Sequence, residues 1–189
     1  WYPIGRPVGT TISPGMQMTA VAIWRLLKQP FWRDTFGFSP EMTLNDVCVF
    51  IPAWFGSLAS LALGLLTREV SGSWFSGAIA TWCMAIVPAH LMRSAAGEFD
   101  NECIAMFAMC LTFYLWCRSL RTSRSWWIGA FAGVAYAYMA AAWGGFIYVS
   151  NMVALHAGFL VLLGHRTPSL RRAYTLYYVV GTALATQIP

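Results

Sequence analysis

The chain has 189 residues, of which 58% are hydrophobic, 16% aromatic and only 10% charged. Soluble domains carry about 25% charged residues, so this inventory cannot clothe a water-facing surface; disordered, collagen-like and disulfide-stapled secreted chains are excluded with them. The net charge of +5 does not signal nucleic acid either, because the 12 basic residues are scattered among 10 Trp, 12 Phe and 8 Tyr without a basic block. What remains is an all-α, polytopic helical membrane protein.

The first 46 residues open on Trp1-Tyr2-Pro3-Ile4-Gly5-Arg6-Pro7-Val8-Gly9, a stiff Gly/Pro-rich turn that lacks the G-K-[ST] ending of a phosphate-binding loop. Gly15 to Lys28 is apolar but short, and it contains Gln17 and Arg25. Met16, Ala20, Ile23, Trp24 and Leu27 fall on one helical stripe, with Ser13 predicted as N-cap and Pro14 at the first helical position. This pattern predicts an amphipathic helix lying at the membrane interface rather than a span.

Residues 47–189 read as a transmembrane helical domain. A span needs about 20 apolar residues. Val47 to Leu66 and Val70 to Ala89 meet that length, separated by Thr67-Arg68-Glu69, and Cys103 to Cys117 approaches it. No formal charge occurs from Ser125 to Gly164; the stretch divides at Trp143-Gly144-Gly145, where two glycines permit a tight turn, into Trp126 to Ala142 and Phe146 to Leu163. Ala173 to Pro189 begins a sixth, so about six transmembrane helices are expected. His156 lies well inside a span and reads as a packed, neutral histidine. The five cysteines, Cys48, Cys83, Cys103, Cys110 and Cys117, sit in or beside apolar runs with neither a CxxC pair nor alternating His, and read as small hydrophobes.

Alternating crossings sort the charges between two sides. One side holds Arg68, Arg118, Arg121, Arg124, Arg166, Arg171 and Arg172 against Glu69 alone. The other holds Arg6, Arg25, Lys28, Arg33 and Arg93 against Asp34, Glu41, Asp46, Glu98, Asp100 and Glu102. The positive-inside rule makes the first side cytosolic. Segment 1–46 then becomes the end of a lumenal or external loop, and residues 90–102 an acidic loop on the same side. The chain starts at Trp1 without a signal peptide and stops inside an apolar run, so it is expected to be an excerpt of a longer protein.

The densest polar cluster is His90-Leu-Met-Arg93-Ser-Ala-Ala-Gly97-Glu98-Phe-Asp100-Asn101-Glu102. Asp100 and Glu102 offer the hard oxygen ligands that Mg²⁺ or Mn²⁺ prefers, although two carboxylates cannot complete an octahedral site. Arg93 suits a carboxylate or a phosphate. Asp100 is equally a good N-cap and Glu102 a favourable first-turn anion, so the D-x-E spacing alone leaves structural and metal-binding roles both open.

Several stretches together resemble the catalytic subunit of the eukaryotic oligosaccharyltransferase: Trp1-Tyr-Pro-Ile-Gly-Arg6, Ser13-Pro-Gly-Met16, Asp46-Val-Cys-Val-Phe-Ile-Pro-Ala53, Arg93-Ser-Ala-Ala-Gly-Glu-Phe-Asp-Asn-Glu102, Ala142-Trp-Gly-Gly145 and Gln187-Ile-Pro189. Their order and spacing match the family over nearly the whole chain. The resemblance implies an inverting, metal-dependent glycosyltransferase of the endoplasmic reticulum membrane, with its catalytic face lumenal. It would move a preassembled oligosaccharide from dolichyl diphosphate to the Asn amide of Asn-X-Ser/Thr acceptor polypeptides, within the bilayer and beside other oligosaccharyltransferase subunits, with no role for nucleic acid. The family's second acidic motif falls on Asp100 and Glu102 as ligands of Mn²⁺ or Mg²⁺, with Arg93 behind them. Trp143 and Gly144 fall near the donor site, as does Arg6. Where the family commonly has a small residue and Tyr, this chain has Glu98 and Phe99, which leaves room for a protozoan member. The first acidic motif, a later lumenal Glu and the soluble acceptor-binding domain are outside the sequence, so the excerpt is expected to be inactive alone. The competing readings are a lipid-phosphosugar mannosyltransferase of similar architecture and a transporter or scaffold without chemistry. The scarcity of charge within the spans disfavours the second.

Overall fold

The computed structural model describes residues 4–5, 12–29 and 42–188. They form eight helices and, among the described residues, no strand: α1 (Gly15–Leu27), α2 (Leu44–Ser71), α3 (Trp74–Ile86), α4 (Pro88–Ser94), α5 (Asn101–Leu120), α6 (Ile128–Ala142), α7 (Phe146–Leu162) and α8 (Pro168–Ala185). By length and composition α2 and α5 can each cross a membrane, and α3 with α4 would make a third, bent span. α6 and α7 are apolar but shorter, at 15 and 17 residues. The expected sixth span corresponds to α8, whose first turns carry Arg171 and Arg172.

The predicted span from Val70 to Ala89 is redrawn. Val70 and Ser71 close α2, and Gly72 ends that helix in the left-handed conformation with φ 73°, donating its N–H to the Arg68 carbonyl. α3 then runs to Ile86, where the axis turns by 66° into α4. Pro88 explains the break: it has no N–H to continue the helix, and it pushes Val87 into an extended conformation with ψ 127°.

α5 and α6 occupy the middle of the bundle. α2 packs on α5 and carries α3 on its far side, α8 packs along α6, and α7 touches α5 and α6 only lightly. Lipid tails are as apolar as these side chains, so helices associate here through close backbone approach rather than hydrophobic burial. Gly129 and Gly133 of α6 supply that approach, because a Cβ on Gly129 would run into the Ala173 carbonyl and one on Gly133 would sit 2.8 Å from the Tyr177 carbonyl of α8. Gly64 and Gly77 make the same kind of contact between α2 and α3.

Two apolar clusters result. One joins α5, α6, α7 and α8 around Trp116, Tyr136, Met139 and Tyr177. The other joins α1, α2, α5 and α6 through Met16, Ala20, Val47, Ile51, Phe55, Cys103, Ile104 and Ala142. The α1 stripe is covered by protein: Met16 and Ala20 are buried and Ile23, Trp24 and Leu27 pack beside them. Ser13 does not cap α1; the cap position falls on Pro14, with no side-chain bond. Gly15 sets the docking, since a Cβ there would meet the Ala141 backbone of α6 at 2.6 Å.

The cysteines are free, with Cys103 and Cys110 buried, Cys48 and Cys117 half-buried and Cys83 exposed. His156, expected to be packed, is exposed on α7, and its Nδ1 accepts a 3.0 Å hydrogen bond from Trp116 Nε1.

Candidate functional site

Among the described residues, the two charge classes sorted by sequence lie at opposite ends of the bundle. At one end α2 and α5 finish together, and the Glu69 carboxylate sits between Arg118 at 3.5 Å and Arg121 at 3.3 Å. At the other end are the start of α2, the start of α5, the end of α6 and the loop 95–100.

α4 places Arg93 at that second end. His90 is buried and its Nε2 donates to the Gly56 carbonyl of α2 at 3.1 Å, with Ser60 Oγ 3.5 Å away. Gly56 leaves the space into which Ser94 fits. Arg93, three residues beyond His90, is its neighbour along the same face of α4 and reaches the loop with its long side chain. Its Nη1 donates to Asp100 Oδ2 at 2.9 Å and its Nε meets Glu102 Oε2 at 3.0 Å, while Glu98 Oε1 stands 3.9 Å from Nη1. One guanidinium is thus shared by three carboxylates, leaving a formal surplus of two negative charges. The group is half-open to solvent: the side chains of Arg93, Asp100 and Glu102 keep 48%, 42% and 37% of their accessible surface.

The loop is held from beneath. Pro52 inside α2 has no N–H, which loosens the ladder one turn earlier. Close by, the Gly97 N–H takes the Val49 carbonyl at 2.8 Å. Gly97 adopts φ 97°, a conformation that glycine alone enters without strain. Sequence reading named neither Gly97 nor His90 as a positioning residue; the only local signal was a glycine in a loop.

Asp100 occupies the N-cap position of α5 in an extended conformation, φ −125° and ψ 148°, yet its side chain makes no capping bond. It is turned to Arg93 instead. The structural reading of Asp100 as a side-chain cap is therefore set aside. Each of Asp100 and Glu102 spends one oxygen on Arg93, and among the described residues the other, Oδ1 and Oε1, enters no ion pair.

A cleft of about 520 Å³ opens beside Asp100. Ser13 and Gln17 of the α1 end, Phe99, Asp100 and Asn101 before and at α5, and Trp143 and Gly144 at the end of α6 line it. Trp143 and Gly144 are thereby brought to the acidic motif from more than 40 residues away in sequence. Arg93 and Glu102 stand outside the cleft's lining, so Asp100 is the member of the trio that faces it. Arg6, the remaining residue expected near a donor site, lies outside the described residues. The glycine pair works otherwise than expected. Neither Gly144 nor Gly145 has a positive φ; Gly145 matters because a Cβ there would run into the Trp143 ring folded over it.

Could this site hold a divalent metal? The donor set is right in kind: two hard carboxylates already converge on one cationic group and each retains a free oxygen. It is incomplete in number, since among the described residues no three His, Cys, Asp or Glu side chains gather closely enough to hold an ion.

Taken together, these features define a polytopic helical membrane protein with a partly solvated acidic site at one membrane face. The family profile described as "Oligosaccharyl transferase STT3, N-terminal" matches residues 1–189, and the chain belongs to that family. It is 39% identical over its whole length to a dolichyl-diphosphooligosaccharide–protein glycosyltransferase subunit STT3 of Dictyostelium discoideum, covering 25% of that protein. The corresponding subunits of Schizosaccharomyces pombe and Caenorhabditis elegans are 37% and 38% identical, again over the whole chain and 24% of their own length. The chain thus spans about a quarter of the curated relatives it matches.

Proposed function

We propose that the whole protein to which this chain belongs transfers an oligosaccharide from dolichyl diphosphate to the side-chain amide of Asn in Asn-X-Ser/Thr acceptors, with inversion at the anomeric carbon. The reading rests on the family and on one observation in particular: Asp100 faces a cleft walled by Trp143 and Gly144 while sharing Arg93 with Glu102. Its relatives are named as subunits, and on this reading the chain works in an assembly in the endoplasmic reticulum membrane. The positive-inside rule supports a lumenal acidic end.

In the transfer, the amide nitrogen attacks the anomeric carbon, the bond from that carbon to a diphosphate oxygen breaks, the diphosphate departs with the electron pair, and the nitrogen gives up one N–H proton to solvent. Asp100 and Glu102 are the residues of this chain that would hold Mn²⁺ or Mg²⁺, which when bound would supply a Lewis acid to offset charge on the departing diphosphate. Arg93 holds both carboxylates in position. A carboxylate at the cleft can also accept hydrogen bonds from the amide N–H groups, which turns the nitrogen out of conjugation and frees its lone pair. Trp143 shields one wall of the cleft from water.

The decisive experiment is Asp100→Ala in the full-length protein. Glycan transfer to a labelled Asn-X-Ser/Thr peptide should fall by at least about a hundredfold, the scale on which losing one electrostatic contact to a developing charge is felt. Membrane insertion should be unchanged. Transfer near the starting level would overturn the assignment of Asp100.

A further inference from the structure

A second site emerges at the opposite, arginine-rich end of the bundle. α7 and α8 are joined by the short 163–167 connection, yet they splay apart instead of packing along each other. Between them runs a groove of about 860 Å³, with Ala154, Gly158 and Val161 on one wall and Leu170 and Tyr174 on the other. It is open along its length: a Cβ built on Gly158 meets no atom within 4 Å. Arg166 and Arg171 stand at one end of it. Both are exposed, and among the described residues no carboxylate lies within ion-pair distance of either, whereas Arg93, Arg118 and Arg121 all have acidic partners. Arg166 makes only a 3.4 Å contact from Nε to the Val161 carbonyl, which leaves its Nη groups free.

We propose that this groove binds one anionic phospholipid of the leaflet at the arginine-rich face, its phosphate held between Arg166 and Arg171 and an acyl chain lying on Gly158, Ala154 and Tyr174. Charge complementarity selects the occupant. A guanidinium fork matches phosphate oxygens bidentately, and the apolar walls suit a hydrocarbon chain. A helix of the same protein seated in the groove would fill its apolar walls but would leave the two arginines to water, whereas a phospholipid satisfies both the walls and the charge. The diphosphate of the glycosyl donor is not the ligand, because the acidic site lies at the other end of helices about 25 Å long.

The test uses full-length protein in mild detergent, incubated with dioleoyl phosphatidylserine or dioleoyl phosphatidylcholine, with retained lipid read by native mass spectrometry. Phosphatidylserine should be retained in preference to phosphatidylcholine by up to about thirtyfold, as two basic side chains at a membrane surface would confer. Arg166→Gln/Arg171→Gln should erase that preference. Gly158→Phe, which fills the groove and leaves both arginines, should lower retention of either lipid. Arg124→Gln, an arginine of the same face outside the groove, should retain the preference. No headgroup preference in the unaltered protein, or an undiminished one in the double variant, overturns the proposal. A benzophenone attached at Gly158→Cys should crosslink to phospholipid; crosslinking to another segment of the chain overturns it as well.

Discussion

The two ends of this bundle carry the same kinds of charge in opposite ratio. At one end a single carboxylate, Glu69, meets two guanidiniums, and its side chain is only 4% exposed. At the other a single guanidinium, Arg93, meets three carboxylates, and every member of the group is more than a third exposed. The first arrangement is finished: the buried ion has more counter-charge than it needs, and it ties the last turn of α2 to that of α5. The second is left with negative charge and free oxygens facing water. Both clusters border a cleft, Glu69 and Arg121 lining one of about 420 Å³; what sets the Arg93 cluster apart is the sign of its accessible surplus, because exposed carboxylate oxygens suit a cation or an amide N–H and exposed guanidiniums do not.

The contrast is broken most severely by removing arginines. Arg118→Gln/Arg121→Gln strands Glu69 as a buried, unpaired charge, which should cost about 3–5 kcal/mol of stability. Glu69→Gln leaves two arginines that are already 40% and 52% exposed and can turn to water, so about 1 kcal/mol is expected. Arg93→Gln at the acidic end should also stay within about 1 kcal/mol, because its partners are solvated. Thermal denaturation of the purified full-length protein would rank the three. Equal losses for the Arg118/Arg121 and Arg93 variants would remove the distinction between a structural and a functional cluster.

Transfer activity should reverse that ranking. Arg93→Lys keeps the charge, but one ammonium cannot imitate a fork whose Nη1 and Nε reach two different carboxylates at 2.9 and 3.0 Å. A loss of transfer of about tenfold, or about 1.4 kcal/mol in the barrier, is expected with the denaturation midpoint little changed. A Lys variant as active as the parent would mean that Arg93 supplies charge alone.

Much of this was legible in the sequence because it is local. Helix positions followed from apolar run length, and the two charged ends from counting arginines between runs. Arg93, Asp100 and Glu102 fall within ten residues of one another, so their proximity needed no fold. Trp143 and Gly144 joined them only through a resemblance, since no periodicity says that the end of α6 returns to the start of α5. What could not be read is long-range or competitive. Glu69 lies 52 residues from Arg121, and their pairing depends on the register of α2 against α5. Asp100 had two available partners, the helix N-terminus and Arg93, and only the placement of α4 by His90 and Gly56 decides between them. Gly145 looked like a turn residue, while its actual neighbour is the Trp143 ring.

The smallest expected effect sharpens the comparison furthest, because the molecule supplies its own control. Gly97 at the acidic end and Gly72 at the basic end both have positive φ, 97° and 73°, and a Cβ on either meets no atom within 4 Å. Alanine therefore clashes with nothing at either position and costs only backbone strain, of order 1–3 kcal/mol in each case. The two losses of stability should be similar, but their consequences differ. Strain at Gly72 is taken up in the exposed connection between α2 and α3. Strain at Gly97 is relieved by rotating the loop, which pulls its N–H from the Val49 carbonyl and shifts the chain three residues before Asp100. Gly97→Ala should thus lower transfer severalfold while Gly72→Ala leaves it unchanged at matched stability. Equal activity in the two variants would show that the Gly97–Val49 bond holds the loop without setting the position of Asp100.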